Sequence, residues 1–346
     1  MSNQKAIQID KATCDFLVTE SMVQEVEKIL SEEMPYVNGV VNEMVCRGID
    51  RIYFVACGSP LSAAKTAAMM ANAHSTIQCE AISAQTFIDT PPFRLDEKCA
   101  VVGISDYGST QEVIDAVRLG MNAGALTMVF TSKETNPIAN IGADHVVAYH
   151  GGCIWEIHLL LSYAVVGEFI RLTQPNPEVE AIMADLQKLP PILERLVTEW
   201  EEKGKAIGEK TSDWSLIYTV SAGMLNPLGY KEGIVSCLEF TWTNGSCIEA
   251  GEFRHGALEI VDADSCFMVL QNTDSTRRTT QRAINFIEQY TDNLVVIDND
   301  ELDHDLHDWV SPFVMFVPLE WIYFYHSEAK GHNPDDRRAY GGLRHY

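Results

Sequence analysis

Positive charge is scarce in this sequence. Only 25 lysines and arginines stand against 49 aspartates and glutamates in 346 residues, for a formal net charge of −24. The deficit argues against nucleic acid as a partner, because its phosphates call for a basic surface. It argues equally against docking on an anionic membrane face. An anionic ligand would have to be held by a local device of hydroxyls, amides or a helix end. Long apolar runs are also missing. No stretch approaches eighteen uncharged apolar residues, so no membrane-spanning helix is expected. The dense run from Pro318 to Tyr325 is too short and contains Glu320. The opening Met1-Ser2-Asn3-Gln4-Lys5 carries no apolar targeting segment, which predicts a cytoplasmic protein. The nine cysteines (14, 46, 57, 79, 99, 153, 237, 247 and 266) include no C-x-x-C pair, are odd in number and match no zinc module. They read as reduced, mostly buried thiols, with no metal site. There is no G-x-x-x-x-G-K-[ST] and no G-x-G-x-x-G, which argues against a nucleoside triphosphate loop and a dinucleotide fold.

What is present is alternation. After a polar arm at 1–20, residues 21–48 read as helical, with Met22, Val23, Val26, Ile29, Leu30 and then Val40, Val41, Met44 and Val45 at helical spacing around Pro35. Short apolar runs follow at 52–57, 79–82, 100–104, 126–130 and 145–149, separated by helical patterns at 60–74, 110–123 and 153–172. Buried strands alternating with helices predict a parallel sheet covered on both faces. Residues 173–191 contain Pro175, Pro177, Pro190 and Pro191 and are the expected boundary zone. That division gives a first domain at 21–173, a linker and connecting helix at 174–210, a second domain at 211–330 and a tail at 331–346. The second set reads as strand 215–221, helix 226–243, strands 247–250 and 266–270, helix 276–290, strand 294–298 and a last helix near 318–330, with Pro318 in its first turn. Ile52-Tyr53-Phe54-Val55-Ala56-Cys57-Gly58 and Ile217-Tyr218-Thr219-Val220-Ser221-Ala222-Gly223 share I-Y-x-V-x-x-G and open the two sets, as a duplicated domain would require.

Three segments carry candidate chemistry. In Ala56-Cys57-Gly58-Ser59-Pro60 a buried strand opens into a helix, with Ser59 suited to the N-cap and Pro60 to the first helical position. Such a helix end offers unpaired N–H groups to a phosphate. Ser105-Asp106-Tyr107-Gly108-Ser109-Thr110-Gln111-Glu112 follows another buried strand. Ser109 and Glu112 fit a capping box, and hydroxyls of Ser105, Ser109 and Thr110 with amides near Gly108 can hold phosphate oxygens without a cation. Taken singly, each is equally a plain strand-to-helix turn. Together they would converge at the carboxyl edge of one sheet, where open α/β sheets bind ligands. The third segment runs from Glu239 to Glu259. Glu239 lies in an otherwise apolar helix and would be a poised base if it faced a pocket. Past a turn at Asn244-Gly245, Glu249-Ala250-Gly251-Glu252-Phe253-Arg254-His255-Gly256 sets His255 on an irregular loop, where it can move protons near neutral pH. Alone, Glu239 also suits a solvated helix face and His255 a structural role.

The array C-G-S, then S-D-Y-G-S-T, then E-x(11)-G-E-F-R-H-G resembles the SIS (sugar isomerase) superfamily. It is similar above all to the isomerase half of glutamine–fructose-6-phosphate aminotransferase and to the Amadori-product deglycases. The resemblance covers residue 8 or so to the C-terminus. It implies two flavodoxin-like α/β domains, each a parallel sheet with helices on both faces, and a homodimer or higher homo-oligomer in which His255 serves either its own site or the partner's. The aromatic run near Pro318–Tyr325 and the tail would serve as interface anchors. It also implies an enzyme acting on a sugar 6-phosphate through an enediol-type intermediate, without metal or organic cofactor. A deglycase acting on a ketoamine 6-phosphate, an aldose–ketose isomerase and a glucosamine-6-phosphate-type isomerase or deaminase share that logic. A non-catalytic sugar-phosphate sensor is the reading from another class.

Carried over by position, Gly58, Ser59, Ser105, Tyr107, Gly108 and Thr110 match the sugar-phosphate positions, with Glu252 and Arg254 as further substrate-binding candidates. Tyr107 stands where the aminotransferase pattern has serine, so only its amide can substitute there. Glu239 matches the enolising carboxylate and His255 the ring-opening histidine. Ala257 departs from the usual H-G-P. The second half has no S-x-x-G turn at Gln271-Asn272-Thr273-Asp274, which implies one sugar-phosphate site per chain.

Overall fold

The computed structural model describes residues 6–340 and Arg344. The opening Met1–Lys5 and most of the last six residues of the tail lie outside the described residues. Contacts divide the chain into two compact units, Gln24–Lys188 and Met1–Val23 with Leu189–Tyr346.

The first unit is a five-stranded parallel sheet. Its strands are β1 (Arg51–Ala56), β2 (Gln78–Ser83), β3 (Cys99–Ile104), β4 (Leu126–Thr131) and β5 (His145–Ala148), in the order β2-β1-β3-β4-β5. β1, β3 and β4 are buried throughout, as expected of apolar runs covered on both faces. Tyr53 and Val55 of β1, Val101 of β3 and Val129 of β4 pack with Phe87, Val113 and Val117 from helices Ala84–Asp89 and Gln111–Asn122. Another core is centred on helix Ile154–Thr173, which packs against Met34–Arg47 and Gly58–His74. That helix is apolar on almost every side and buried along most of its length, the pattern of a helix inside a core. In register, Arg51 pairs with Cys99 and Ala56 with Ile104, so β1 and β3 end side by side.

The second unit has four parallel strands, β6 (Leu216–Ser221), β7 (Asn244–Glu249), β8 (Phe267–Gln271) and β9 (Leu294–Asp298), ordered β7-β6-β8-β9. This is the order of the first sheet without its last strand. Both units are the expected flavodoxin-like α/β class, with the strand order reversing at β1/β3 and β6/β8. The I-Y-x-V-x-x-G echo falls on β1 and β6. Both of its glycines turn the chain with positive φ, +61° at Gly58 and +54° at Gly223, a conformation that penalises any Cβ.

Several boundaries differ from the sequence reading. The last helix runs Ser311–Lys330 with Pro318 in its interior, not at its start. Pro312 occupies the first turn instead. A proline inside a helix removes one backbone bond. Here the helix is buried from Ser311 to Ser327 and packs along Leu189–Thr211, which holds it together. The aromatic run expected as interface anchors is this unit's own core: Trp321 is 2% exposed and Phe324 0%. The proline-rich zone contains a helix, Pro177–Leu186, capped by the Asn176 side chain, which accepts from Val179 N at 3.0 Å. The units part after Lys188, and Leu189–Thr211 packs with the last helix. The N-terminal arm is no free polar segment. Phe16, Leu17 and Val18 are buried, and the N–H groups of Asp15 and Phe16 both donate to the Asp335 carboxylate at 2.9 Å. The stretch read as one helix at 226–243 is a short α-helix, Asn226–Tyr230, continued by a π-helix, Lys231–Phe240.

That π-helix begins with a buried charge cluster. Lys231 Nζ lies 2.9 Å from Glu232 Oε1 and donates to Glu320 Oε1 at 2.9 Å. It also sits 4.5 Å from the centre of the Phe316 ring. All three charged residues are buried. Burial raises the Glu320 carboxyl, the Lys231 ammonium lowers it, Glu232 raises it again, and the result is about 7. A carboxyl above its usual 4.5 binds its proton more tightly folded than unfolded. Its stabilising contribution is therefore fully present below about pH 4.5 and is lost as pH rises through about 7. The expected result is a component of the melting temperature that falls across that window in the parent and is absent in Glu320→Gln, read by calorimetry at a series of pH values. Parallel pH curves for the two proteins would contradict it.

Candidate active site

The turn after β1 places Gly58 and Ser59 at the start of helix Gly58–His74. The N-cap is Cys57, in extended conformation, rather than Ser59, and no side chain caps this end. The helix begins two residues earlier than expected because Gly58 makes the turn. Ser59 is half-buried. The space where a Cβ on Gly58 would point is open, with no atom within 4 Å.

The turn after β3 is built around Ser105 and Gly108. Ser105 is buried, its N–H donates to Phe130 O, and its hydroxyl donates to Thr110 Oγ1 at 3.2 Å. Gly108 N–H closes the turn on Ser105 O at 3.1 Å. Gly108 has φ of +66°, and a Cβ there would lie 2.3 Å from the Asn136 side chain, so glycine alone fits. The predicted capping box does not form. Helix Gln111–Asn122 starts at an extended Thr110 with no side-chain cap. Thr110 Oγ1 is engaged by Ser105 instead, and Ser109 and Glu112 make no reciprocal pair. The N–H groups of Tyr107, Ser109, Thr110 and Gln111 consequently donate to no acceptor among the described residues. Such a row of free amides at a helix start favours an anion. The Tyr107 ring is 66% exposed, in keeping with a contribution through its amide.

The corresponding places in the second unit are filled. A Cβ on Gly223 would meet Thr276 Cγ2 at 2.7 Å. After β8, Thr273 Oγ1 donates to Asp308 at 2.7 Å, Asn272 Oδ1 accepts from Asn299 at 3.0 Å, and Thr276 Oγ1 donates to Asp274. Hydroxyls already spent on carboxylates make a poor anion cradle.

Glu239 lies near the end of the π-helix, whose extra residue per turn shifts the faces of an ordinary helix; such widenings recur at functional sites. It is half-buried, and Arg337 Nη1 donates to its Oε1 at 3.1 Å. The sequence reading left open whether this carboxylate faces a pocket or solvent; in the structure it pairs with the tail. That tail is held by rings. Arg337 lies 5.3 Å from the centre of the Phe240 ring, Arg338 lies 3.9 Å from that of Trp242, and His332 stacks on Trp242 while bonding Phe240 O at 2.8 Å.

Glu252, Arg254 and His255 are exposed. A short 3-10 turn, Phe253–His255, carries them, anchored by buried Phe253 against Phe267 and Phe286. His255 N–H donates to Glu252 O at 2.8 Å. Arg254 lines a surface hollow of about 310 Å³ with Leu258, Arg282 and Phe286. No hydrogen bond joins Glu239 to His255 among the described residues. No group of three or more His, Cys, Asp or Glu side chains suited to a metal ion occurs among them either. No helix among the described residues is long and apolar enough to cross a membrane.

Sequence reasoning missed Arg337, the Tyr149–His158 pair described below, and the Lys231 cluster. Glu320, inside an apolar run, was the one available signal of the last.

The SIS domain signature matches residues 47–152, which hold β1 through β5 and both hydroxyl-bearing turns. The chain belongs to the SIS family. It is 56% identical over 340 residues to the fructoselysine 6-phosphate deglycase of Escherichia coli K12, an alignment spanning 98% of this chain and 100% of the relative. It is 26% identical to a fructosamine deglycase of Bacillus subtilis, over 87% of this chain and 94% of that one. Among solved structures, a Bacillus subtilis protein described as a phosphosugar isomerase superposes with a TM-score of 0.83 at 26% identity, covering 93% of this chain and 99% of its own.

Proposed function

We propose that this protein is a cytoplasmic phosphosugar deglycase that cleaves fructoselysine 6-phosphate, or a close ketoamine 6-phosphate, to glucose 6-phosphate and the free amine. The observation that carries the reading is the 56% identity to a fructoselysine 6-phosphate deglycase along the whole of both chains. The donor-rich turn at 105–110 and the presence of Glu239 and His255 support it.

In this reading Ser59, Ser105 and Thr110, with the amides around Gly58, Tyr107 and Gly108, hold the phosphoryl group. Glu252 and Arg254 contact the substrate. His255 assists opening of the sugar ring by proton transfer at the ring oxygen. Glu239 takes a proton from C1, the C1–C2 double bond forms, and the C2 carbonyl becomes a hydroxyl. A proton then returns at C2 as the C1–N bond becomes an imine. Water adds at C1, the C–N bond breaks, and the amine leaves with the aldehyde of glucose 6-phosphate behind. Each proton taken is returned, so the chemistry calls for no redox partner. No metal or organic cofactor enters this scheme.

Replacing Ser105 and Thr110 together by alanine is expected to raise KM for phosphorylated substrate by at least tenfold, since each hydroxyl to a charged phosphate contributes about 1.5–3 kcal/mol. Unphosphorylated fructoselysine should be bound as the parent binds it. Equal binding of the phosphorylated substrate by parent and variant would show that the turn has been misassigned. The proposal includes a homodimer, which the family resemblance supports. Sedimentation velocity should give twice the 38.6 kDa of the chain, and a fully active monomer would remove the suggestion that His255 serves a partner's site.

A further inference from the structure

We propose that Tyr149, oriented by His158, is a positioning residue that keeps the Asp106 carboxylate clear of an anion bound on the 105–110 turn. The inference rests on the reading of that turn as the phosphoryl-binding element.

The turn contains a contradiction. Its hydroxyls and free amides suit an anion, yet its second residue is an aspartate, and like charges at such range repel. Asp106 is half-buried. Tyr149 Oη donates to its Oδ1 at 2.6 Å, and the same Oη lies 2.9 Å from His158 Nε2. Tyr149 and His158 are both fully buried, with their rings edge to face.

Proton counting orients the chain of bonds. An ionised carboxylate only accepts, so the single hydroxyl proton of Tyr149 goes to Asp106. Tyr149 Oη then accepts from His158, and Nε2 must carry the ring proton. Burial pushes His158 down to about 3, so its ring is neutral and Nδ1 is a bare lone pair. Nδ1 indeed has no hydrogen-bond partner among the described residues. The sequence runs from His158 Nε2–H to Tyr149 O–H to the Asp106 carboxylate. Burial leaves the Asp106 carboxyl raised from its usual value, and the Tyr149 hydroxyl bond and the Lys133 charge favour its ionised form against that burial.

The backbone at Asp106 is secured separately. Its carbonyl accepts from Ser132 N at 3.0 Å, Ser132 Oγ at 2.7 Å and Thr131 Oγ1 at 3.0 Å. Gly108 O accepts from Ile138 N at 2.9 Å. Removing the Tyr149 hydroxyl therefore releases the charged side chain while the turn keeps its backbone. The freed carboxylate then competes with the ligand for the same donors.

Calorimetric titration of the full chain with inorganic phosphate tests this. Tyr149→Phe should weaken binding by about tenfold or more, the scale of a misplaced neighbouring charge. Adding Asp106→Asn to that variant should restore most of the loss, and Asp106→Asn alone should bind at least as tightly as the parent. On fructoselysine 6-phosphate the loss in Tyr149→Phe should fall on KM and not on kcat. Parent-like binding by Tyr149→Phe overturns the proposal, as does a double variant no better than the single one. Should Tyr149→Phe fail to fold, weaker binding by Asp106→Asn alone overturns it. A parent that does not bind phosphate, or a Ser105→Ala/Thr110→Ala variant that binds it normally, instead overturns the assignment of the turn.

Discussion

Glu239→Gln is expected to lower kcat by about 10²-fold or more, the usual scale for losing a general base, while KM stays near that of the parent. The substitution is a clean one. Glutamine keeps the shape of glutamate and a carbonyl oxygen that can still accept from Arg337, now 3.1 Å from the carboxylate. The π-helix and the tail docked on it thus keep their contact, and only the capacity to take a proton is lost. Because the step at C1 begins from bound substrate, the loss belongs in turnover. Steady-state kinetics with a coupled glucose 6-phosphate readout separates the two parameters. Turnover like the parent's would remove Glu239 from the reaction and leave its pairing with Arg337 as a structural feature.

Lys231→Met is expected to destabilise the second unit by about 3–5 kcal/mol, because it strands two buried carboxylates without their counter-charge. Glu232 and Glu320 are 0% and 2% exposed, so water cannot replace the ammonium. Burial alone would lower the lysine. The two carboxylates outweigh it and hold Lys231 above its usual value, which favours the charged ammonium. A drop on the order of 10 °C in melting temperature corresponds to that loss for a unit of this size. Lys231→Met combined with Glu232→Gln and Glu320→Gln should recover most of it, since apolar or neutral replacement of a whole buried cluster is often nearly neutral. A single variant that melts with the parent would mean that the cluster carries no net stabilisation. The cluster opens the helix that carries Glu239, so loss of kcat in the same variant would be secondary to unfolding and should track the melting curve.

The fold was legible where burial writes itself into local sequence. β1, β3 and β4 are covered on both faces and read as unbroken apolar runs. β7, partly exposed over much of its length, was placed at 247–250 but runs Asn244–Glu249. Pro318 was read as a helix start because it follows the usual rule for a first turn. The true start, at Ser311-Pro312, was hidden by an apolar run with no periodicity to mark its face. The capping box at Ser109 and Glu112 failed because the helix starts one residue later, at Thr110, whose hydroxyl is engaged by Ser105 within the same turn. Glu239 and His255 could be picked out from motif and spacing, but Arg337, 98 positions from Glu239, could not. Tyr149 and His158 look like core residues in sequence, and only the sheet brings Tyr149 to Asp106, 43 positions away. Local pattern thus gave the donors of the turn, while the groups that hold them came from tertiary pairing.

The central claim is the cleavage itself. Purified protein incubated with fructoselysine 6-phosphate, with glucose 6-phosphate followed by a coupled dehydrogenase and lysine quantified in the same samples, reads it directly. Equimolar release of the two products, abolished by omission of the 6-phosphate and strongly reduced in Glu239→Gln, is the predicted result. Conversion of an aldose 6-phosphate to its ketose without amine release from any ketoamine 6-phosphate, or no turnover of the sugar phosphates at all, would contradict it.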